Sequence, residues 1–115
     1  NGLEHDEIFD DQCLVVQSPH GLVVVLGCTH SGIINTLDHV LSLNDNRSIY
    51  AIVGGLHLVG ASLERIRWTI KKIRSYGIRY MGLCHCTGIE AYCELSRAFP
   101  DQCRYIPAGT VIQFD

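Results

Sequence analysis

The apolar positions of this chain follow two rhythms. Two β-branched runs come first, "CLVVQS" at 13–18 and "LVVVLG" at 22–27, with Pro19, His20 and Gly21 between them. Turn residues between two such runs predict a β-hairpin. The period then becomes helical. In "GIINTLDHVLSL" (32–43), Ile33, Leu37, Val40 and Leu41 recur on one face, and Asn44, Asp45 and Asn46 end the pattern. "IYAIVG" (49–54) predicts a buried strand. "SLERIRWTIKKIRSYG" (62–77) predicts a helix with Leu63, Ile66, Ile70 and Ile73 along one stripe and Gly77 as its stop. "YMGLC" (80–84) reads as a strand and "GIEAYCELSRAF" (88–99) as a helix halted before Pro100. "CRYIP" and "TVIQF" read as two short closing strands.

Strands that alternate with helices imply an α/β fold with a largely parallel sheet. The runs "LVVVLG" and "IYAIVG" lack polar alternation, as strands covered on both faces do. Right-handed crossovers in a sheet that grows one way put all three helices on one face. The other face is then bare and apolar. Either the chain reverses to cover it, or a second sheet packs there. Composition favours the second sheet: 47% of residues are apolar and only 18% charged, where about 25% charged is usual. The length of 115 residues allows one domain, with no linker or repeat. The chain opens at Asn1 without an initiator Met, which suggests a processed product or a fragment.

A net charge of −3 argues against nucleic acid or an anionic membrane as partner. The basic residues Arg65, Arg67, Lys71, Lys72, Arg74 and Arg79 cluster, but the solvated face of an amphipathic helix explains them. No run reaches the roughly 18 apolar residues of a membrane span. The six cysteines lie largely within or beside strand- and helix-like segments rather than in a loop-rich scaffold. Reduced thiols and a cytoplasmic location follow.

Candidate chemistry sits where the predicted parallel strands end. "VVVLGCTHSG" ends a strand near His30, "YAIVGGLHLVG" near His57, and "MGLCHCTG" near His85. Ligands of open α/β sheets bind outside those ends. One such histidine alone is more often a hydrogen-bonded structural residue. Three at equivalent strand ends favour a metal site, because neutral imidazole suits zinc and related ions. His5, His20 and His39 lack that context and read as surface residues. Cys28 and Cys86 flank the histidines and could join them as ligands, although small buried thiols are the commoner outcome; Cys84 is expected to point into the sheet. Helix starts at Gly32 and Gly88 offer N–H groups to an anion such as a phosphorylated substrate, with Thr29, Ser31 and Thr87 as hydroxyl donors. "FDDQ" (9–12) could put Asp10 or Asp11 near a metal, although at the mouth of a hairpin carboxylates more often cap turns.

Three stretches together, "DDQCLVVQSPHGLVVVLGCTHSGIINTLDHV", "YAIVGGLHL" and "CHCTGIEA", resemble the C-terminal half of a metallo-β-lactamase-superfamily protein, nearest to the methanopterin-pathway ribofuranosylaminobenzene phosphate synthases. The resemblance implies a four-layer αββα sandwich of two similar halves, so the bare face would pack on the sheet of an N-terminal half. It implies one or two metals, usually zinc, at the edge where the halves meet. By position, His30 matches a ligand of the first metal and His85 a ligand of the second. His57 lies where the superfamily often has a bridging Asp. The HxHxDH motif of the N-terminal half is absent from these residues. The function implied is part of a metal-dependent hydrolase-like enzyme acting on a phosphorylated or pterin-type small molecule, inactive without its other half. The alternative is a non-catalytic α/β interaction module with structural histidines. A doubly wound nucleotide-binding domain fits poorly, since no strand is followed by GxGxxG.

Overall fold

β1 (Cys13–Ser18) and β2 (Gly21–Leu26) form the expected hairpin, paired antiparallel from Cys13↔Leu26 to Ser18↔Gly21. The turn is tight: the Ser18 hydroxyl donates to the Gly21 carbonyl at 2.8 Å, and Gly21 sits at φ 137°, a region open to glycine. The structure, a computed structural model, describes residues 2–115. After the hairpin come α1 (Ile33–Leu43), β3 (Ile49–Gly54), α2 (Leu63–Arg74), β4 (Tyr80–Leu83), a short 3-10 turn (His85–Thr87), α3 (Ile89–Ala98) and β5 (Cys103–Tyr105).

The sheet is mixed, in the order β1-β2-β3-β4-β5, antiparallel in the hairpin and parallel from β2 to β5. Each crossover steps the same way, so the helices share one face. α1 lies beside α2 and α2 beside α3. One core joins Leu22, Val24, Leu26, Ile52, Met81 and Leu83 of the strands to Ile33, Leu37, Val40, Ile66, Ile73, Ala91 and Leu95 of the helices. Leu37 is fully buried; truncating such a leucine to Ala costs about 2–5 kcal/mol. The basic residues of α2 are exposed while Ile66, Thr69 and Ile73 face the core, so the helix is amphipathic as its apolar stripe predicts.

The opposite face is apolar and partly open, exposed at Leu14, Val16 and Val25 and covered at Val23, Ala51 and Gly82. Two rows cross it by register, Val16–Val23–Ala51–Tyr80 and Leu14–Val25–Val53–Gly82. Leu14 is 62% exposed and Val16 46%. The closing strand "TVIQF" does not form. Pro107, Ala108 and Gly109 make a turn, closed by the Thr110 N–H and hydroxyl on the Pro107 carbonyl (3.1 and 2.6 Å). That turn carries the chain off the sheet edge before it can pair, and Pro107 has no N–H to give a ladder. The tail instead crosses the open face. Ile106 lies against Gly82, and Phe114 stands edge-on to Tyr50 and Tyr80, at 5.8 and 5.4 Å. Edge-to-face aromatic packing replaces the strand ladder there.

Candidate metal centre

The parallel strands β2, β3 and β4 end at the same side of the sheet, in loops at 27–32, 55–62 and 84–88. His30, His57 and His85 sit one on each, all exposed. The loops are bound to one another. Gly55 N–H donates to Gly27 C=O (3.1 Å), Cys84 N–H to Gly54 C=O (3.2 Å), and Val59 N–H to Cys86 C=O (3.0 Å). The Thr29 hydroxyl donates to Gly55 C=O at 2.7 Å, and Leu56 N–H donates to the Thr87 hydroxyl at 3.1 Å. Thr29 and Thr87 are each 2% exposed. Their hydroxyls, expected to face substrate, are engaged between the loops and hold them together.

The backbone is strained where it carries chemistry. Thr29, His57 and His85 have φ of 62°, 49° and 55°. Non-glycine residues in this region cost on the order of 1–2 kcal/mol, and a β-branched threonine is the least tolerant. Gly32 and Gly88 precede α1 and α3 at φ 93° and 80°, and neither helix start has a side-chain cap. A Cβ on Gly88 would lie 2.9 Å from Val59 Cα, so the close approach of these loops requires glycine.

Asp11 anchors the first loop from outside, accepting hydrogen bonds from the Ser31 N–H (3.0 Å) and hydroxyl (2.5 Å). Burial pushes its carboxyl pKa up, but the hydrogen bonds from Ser31 and the nearby His30 outweigh this and hold it below the ordinary carboxylate value. Asp11 is thus a loop cap, as the turn-capping reading expects. His20 packs on Tyr50 at 5.3 Å, and His5, His20 and His39 are exposed.

The three site histidines separate: His30 and His57 form a pair, and His85 joins Cys28 and Cys86 in a trio. The rings of His30 and His57 meet edge-on, with centroids 4.6 Å apart. His85 Nε2 lies 3.1 Å from Cys28 Sγ. The donor atoms of Cys28, His85 and Cys86 all lie within 4.8 Å of one another. Cys86 Sγ is also 3.3 Å from the Cys28 carbonyl oxygen. Burial and the neighbouring Cys28 push the Cys86 thiol pKa up, against a hydrogen bond from the His57 backbone. Of the two sequence expectations for Cys28 and Cys86, ligands or small buried thiols, full burial is not what the fold gives: both are half-buried beside His85. The available signal was their position, at the same strand ends as the histidines. Cys84, expected inside the sheet, is half-buried and lines a cleft with His85.

The donor set fits a metal. Zn–N and Zn–S bonds are about 2.0–2.3 Å long, so three donors this close can share one ion, and imidazole with thiolate suits zinc-like ions. Two clefts flank the histidines. His30 and His57 open on one of about 280 Å³ that also carries Arg65 and Trp68. His85 opens on another of about 330 Å³ walled by Leu83, Ile89, Tyr92 and Tyr105.

No family model matches the chain. A crystal structure of a metal-dependent hydrolase of the β-lactamase superfamily matches with a TM-score of 0.86 and 34% identity, over 99% of this chain and 44% of that one. This chain belongs to the metallo-β-lactamase superfamily. It is 32% identical, over 109 residues and 95% of its length, to a 7,8-dihydropterin-6-methyl-4-(β-D-ribofuranosyl)-aminobenzene-5'-phosphate synthase of Methanocaldococcus jannaschii. It is 34% identical over 92 residues to an uncharacterized protein of the same organism. The chain spans 37% and 33% of the lengths of these two relatives. The superfamily fold accounts for the single mixed sheet with three helices on one face. Among the described residues, no helix is long and apolar enough to cross a membrane.

Proposed function

We propose that this chain supplies one half of the metal site of a metallo-β-lactamase-superfamily enzyme acting on a phosphorylated or pterin-type small molecule in the cytoplasm. The observation that carries this reading is the arrival of His30, His57 and His85 at one sheet edge. They stand exposed on loops whose threonine hydroxyls and much of whose backbone are already engaged. Side chains held outward on strained, latched loops are arranged for a ligand, since folding alone gains nothing from that strain. His30 and His57, whose rings touch, would serve one zinc ion and His85 a neighbouring one. The HxHxDH histidines and aspartate of an N-terminal half would complete both and bring the sheet that covers Leu14, Val16 and Val25. Such ions supply Lewis acidity, activating water or stabilising a leaving group.

The chain's own residues suit the substrate class. Arg65 offers a guanidinium to a phosphate, and Trp68, 51% exposed in the same cleft, offers an indole face to a flat ring. The α1 start at Gly32 has no acidic residue in its own first turn, so its free N–H groups remain open to an anion beside the Asp11 carboxylate that already takes the Ser31 N–H. The α3 start carries Glu90 and is less so. The relative named as a synthase supports a condensation on a pterin, and the structural neighbour described as a hydrolase supports hydrolysis.

The test is zinc content by elemental analysis after dialysis, for the chain alone and for the chain with its N-terminal half. The complex should retain stoichiometric zinc and lose part of it on His30→Ala or His85→Ala, and the chain alone should hold zinc more weakly. Full zinc in the complex with either substitution would place the metal elsewhere. No zinc in the unsubstituted complex would favour a non-catalytic module.

A further inference from the structure

We propose that Cys28, His85 and Cys86 form a three-ligand thiolate–imidazole site for a soft divalent ion such as zinc. The site is separate from the His30–His57 pair, and it rests on the proposed function only in also counting His85 as a ligand. Two cysteines and one histidine with an open fourth position are a ligand set of catalytic zinc sites. The three donors lie within 4.8 Å of one another, with Cys28 Sγ and His85 Nε2 at 3.1 Å. Residue 28 lies on the loop after β2 and residues 85 and 86 on the loop after β4, so the fold alone brings them together across 57 positions.

The surroundings are shaped to these side chains. A Cβ at Gly55 would lie 2.7 Å from Cys86 Sγ and 3.4 Å from His85 Cδ2, so the absent side chain is the space the donors fill. The Cys86 carbonyl is held by Val59 N–H at 3.0 Å, and its thiol donates to the Cys28 carbonyl at 3.3 Å, a proton released to solvent when the sulfur binds the ion as thiolate. Both cysteines are half-buried while His85 is exposed, which leaves the trio open on its solvent side for a fourth ligand. Thiolate donors favour zinc, cobalt or cadmium over magnesium or manganese.

Cobalt(II) titrated into the chain distinguishes the two sets of ligands, because only thiolate ligation gives a near-ultraviolet sulfur-to-cobalt charge-transfer band. The band should appear at one equivalent. Cys28→Ser and Cys86→Ser should each weaken cobalt binding by more than about tenfold and diminish the band, while His30→Ala and His57→Ala leave it intact. A second measurement needs no variant. Zinc should protect Cys28 and Cys86 from alkylation, mapped by peptide mass, while the exposed Cys93 reacts as before. Cobalt bound without the band, or alkylation of Cys28 unchanged by zinc, would overturn the proposal. If cobalt then still binds through His30, the proposed function survives without this site. If the band appears but His30→Ala leaves the zinc content of the complex unchanged, this site stands and His30 leaves the proposed function.

Discussion

The two ends of the parallel strands handle the same backbone problem differently. At the amino end, the turn between α1 and β3 places Asp45 and Asn46 at φ of 52° and 56°, and the turn before β4 uses Gly77 at 65°. These residue types adopt the left-handed region at little cost. At the carboxyl end the same conformation falls on Thr29, His57 and His85, although Gly27, Gly32, Gly54, Gly55 and Gly88 lie within three residues of them. One end only connects elements. The other fixes particular side chains in space, at a backbone cost of about 1–3 kcal/mol per residue. Hydrogen bonds such as Thr29 to Gly55 C=O, each contributing about 0.5–1.5 kcal/mol, help to offset that cost.

The largest expected effect comes from adding one carbon at each end. Gly55→Ala drives a methyl group into Cys86 Sγ and the Gly27 carbonyl, at 2.7 and 3.0 Å. It should cost about 1–3 kcal/mol in thermal or denaturant unfolding and weaken cobalt or zinc binding more than about tenfold. Gly77→Ala meets nothing within 4 Å. It should cost about 1 kcal/mol for its positive φ and leave metal binding unchanged. If both variants lose metal binding equally, the contrast between the ends is unfounded.

A smaller effect tests the latches. Thr29→Val removes the hydroxyl from the buried Gly55 carbonyl and should destabilise by about 1–3 kcal/mol, with Thr29→Ser recovering most of it. At the other end, Asn46→Gly should stay within about 0.5 kcal/mol. Equilibrium urea unfolding measures both, and a Thr29→Val as silent as Asn46→Gly would show that the latch carries no stability.

The smallest effect is in pH dependence, and here too the ends separate. Asp11, at the carboxyl end, has a lowered pKa in the fold. Its stabilisation is present above its ordinary value of about 4 and is lost as pH falls through the lowered one. Asp11→Asn should flatten the acid limb of the stability curve. Tyr76, just after α2, donates to Asp38 at 2.6 Å, and burial and then Asp38 push its pKa up. Its stabilisation is present below about pH 10 and lost as pH rises through the raised value, so Tyr76→Phe should flatten the alkaline limb instead. Chemical unfolding at a series of pH values reads both limbs; exchanged or unchanged limbs would show the two pKa directions to be misassigned.

The helices were legible from their apolar period of 3.6 and the paired strands from short β-branched or apolar runs bounded by turn residues, both local properties. So was the open face, from the lack of polar alternation in "LVVVLG" and "IYAIVG". The positions of His30, His57 and His85 followed from a rule of topology, that successive parallel strands end at one edge. What escaped was decided by partners distant in the chain. The Thr29 hydroxyl looks like a substrate donor until it is seen donating to the Gly55 carbonyl, and the Thr87 hydroxyl is seen to accept from Leu56 N–H. Cys28 and Cys86 read as ligands or, more commonly, as small core residues until the fold sets them beside His85. "TVIQF" has a strand's composition, but the turn at Pro107 removes it from the sheet, and Phe114 finds Tyr50 and Tyr80 instead.

The most direct test is an anomalous-difference map at the zinc edge, from zinc-loaded crystals of this chain together with its N-terminal half. Zinc should appear at the carboxyl ends of β2, β3 and β4. One peak is expected about 2.0–2.3 Å from the Cys28, His85 and Cys86 donors, and a second beside His30 and His57. Ordered zinc found only away from the loops at 27–32, 55–62 and 84–88 would contradict the assignment of this edge as a metal centre.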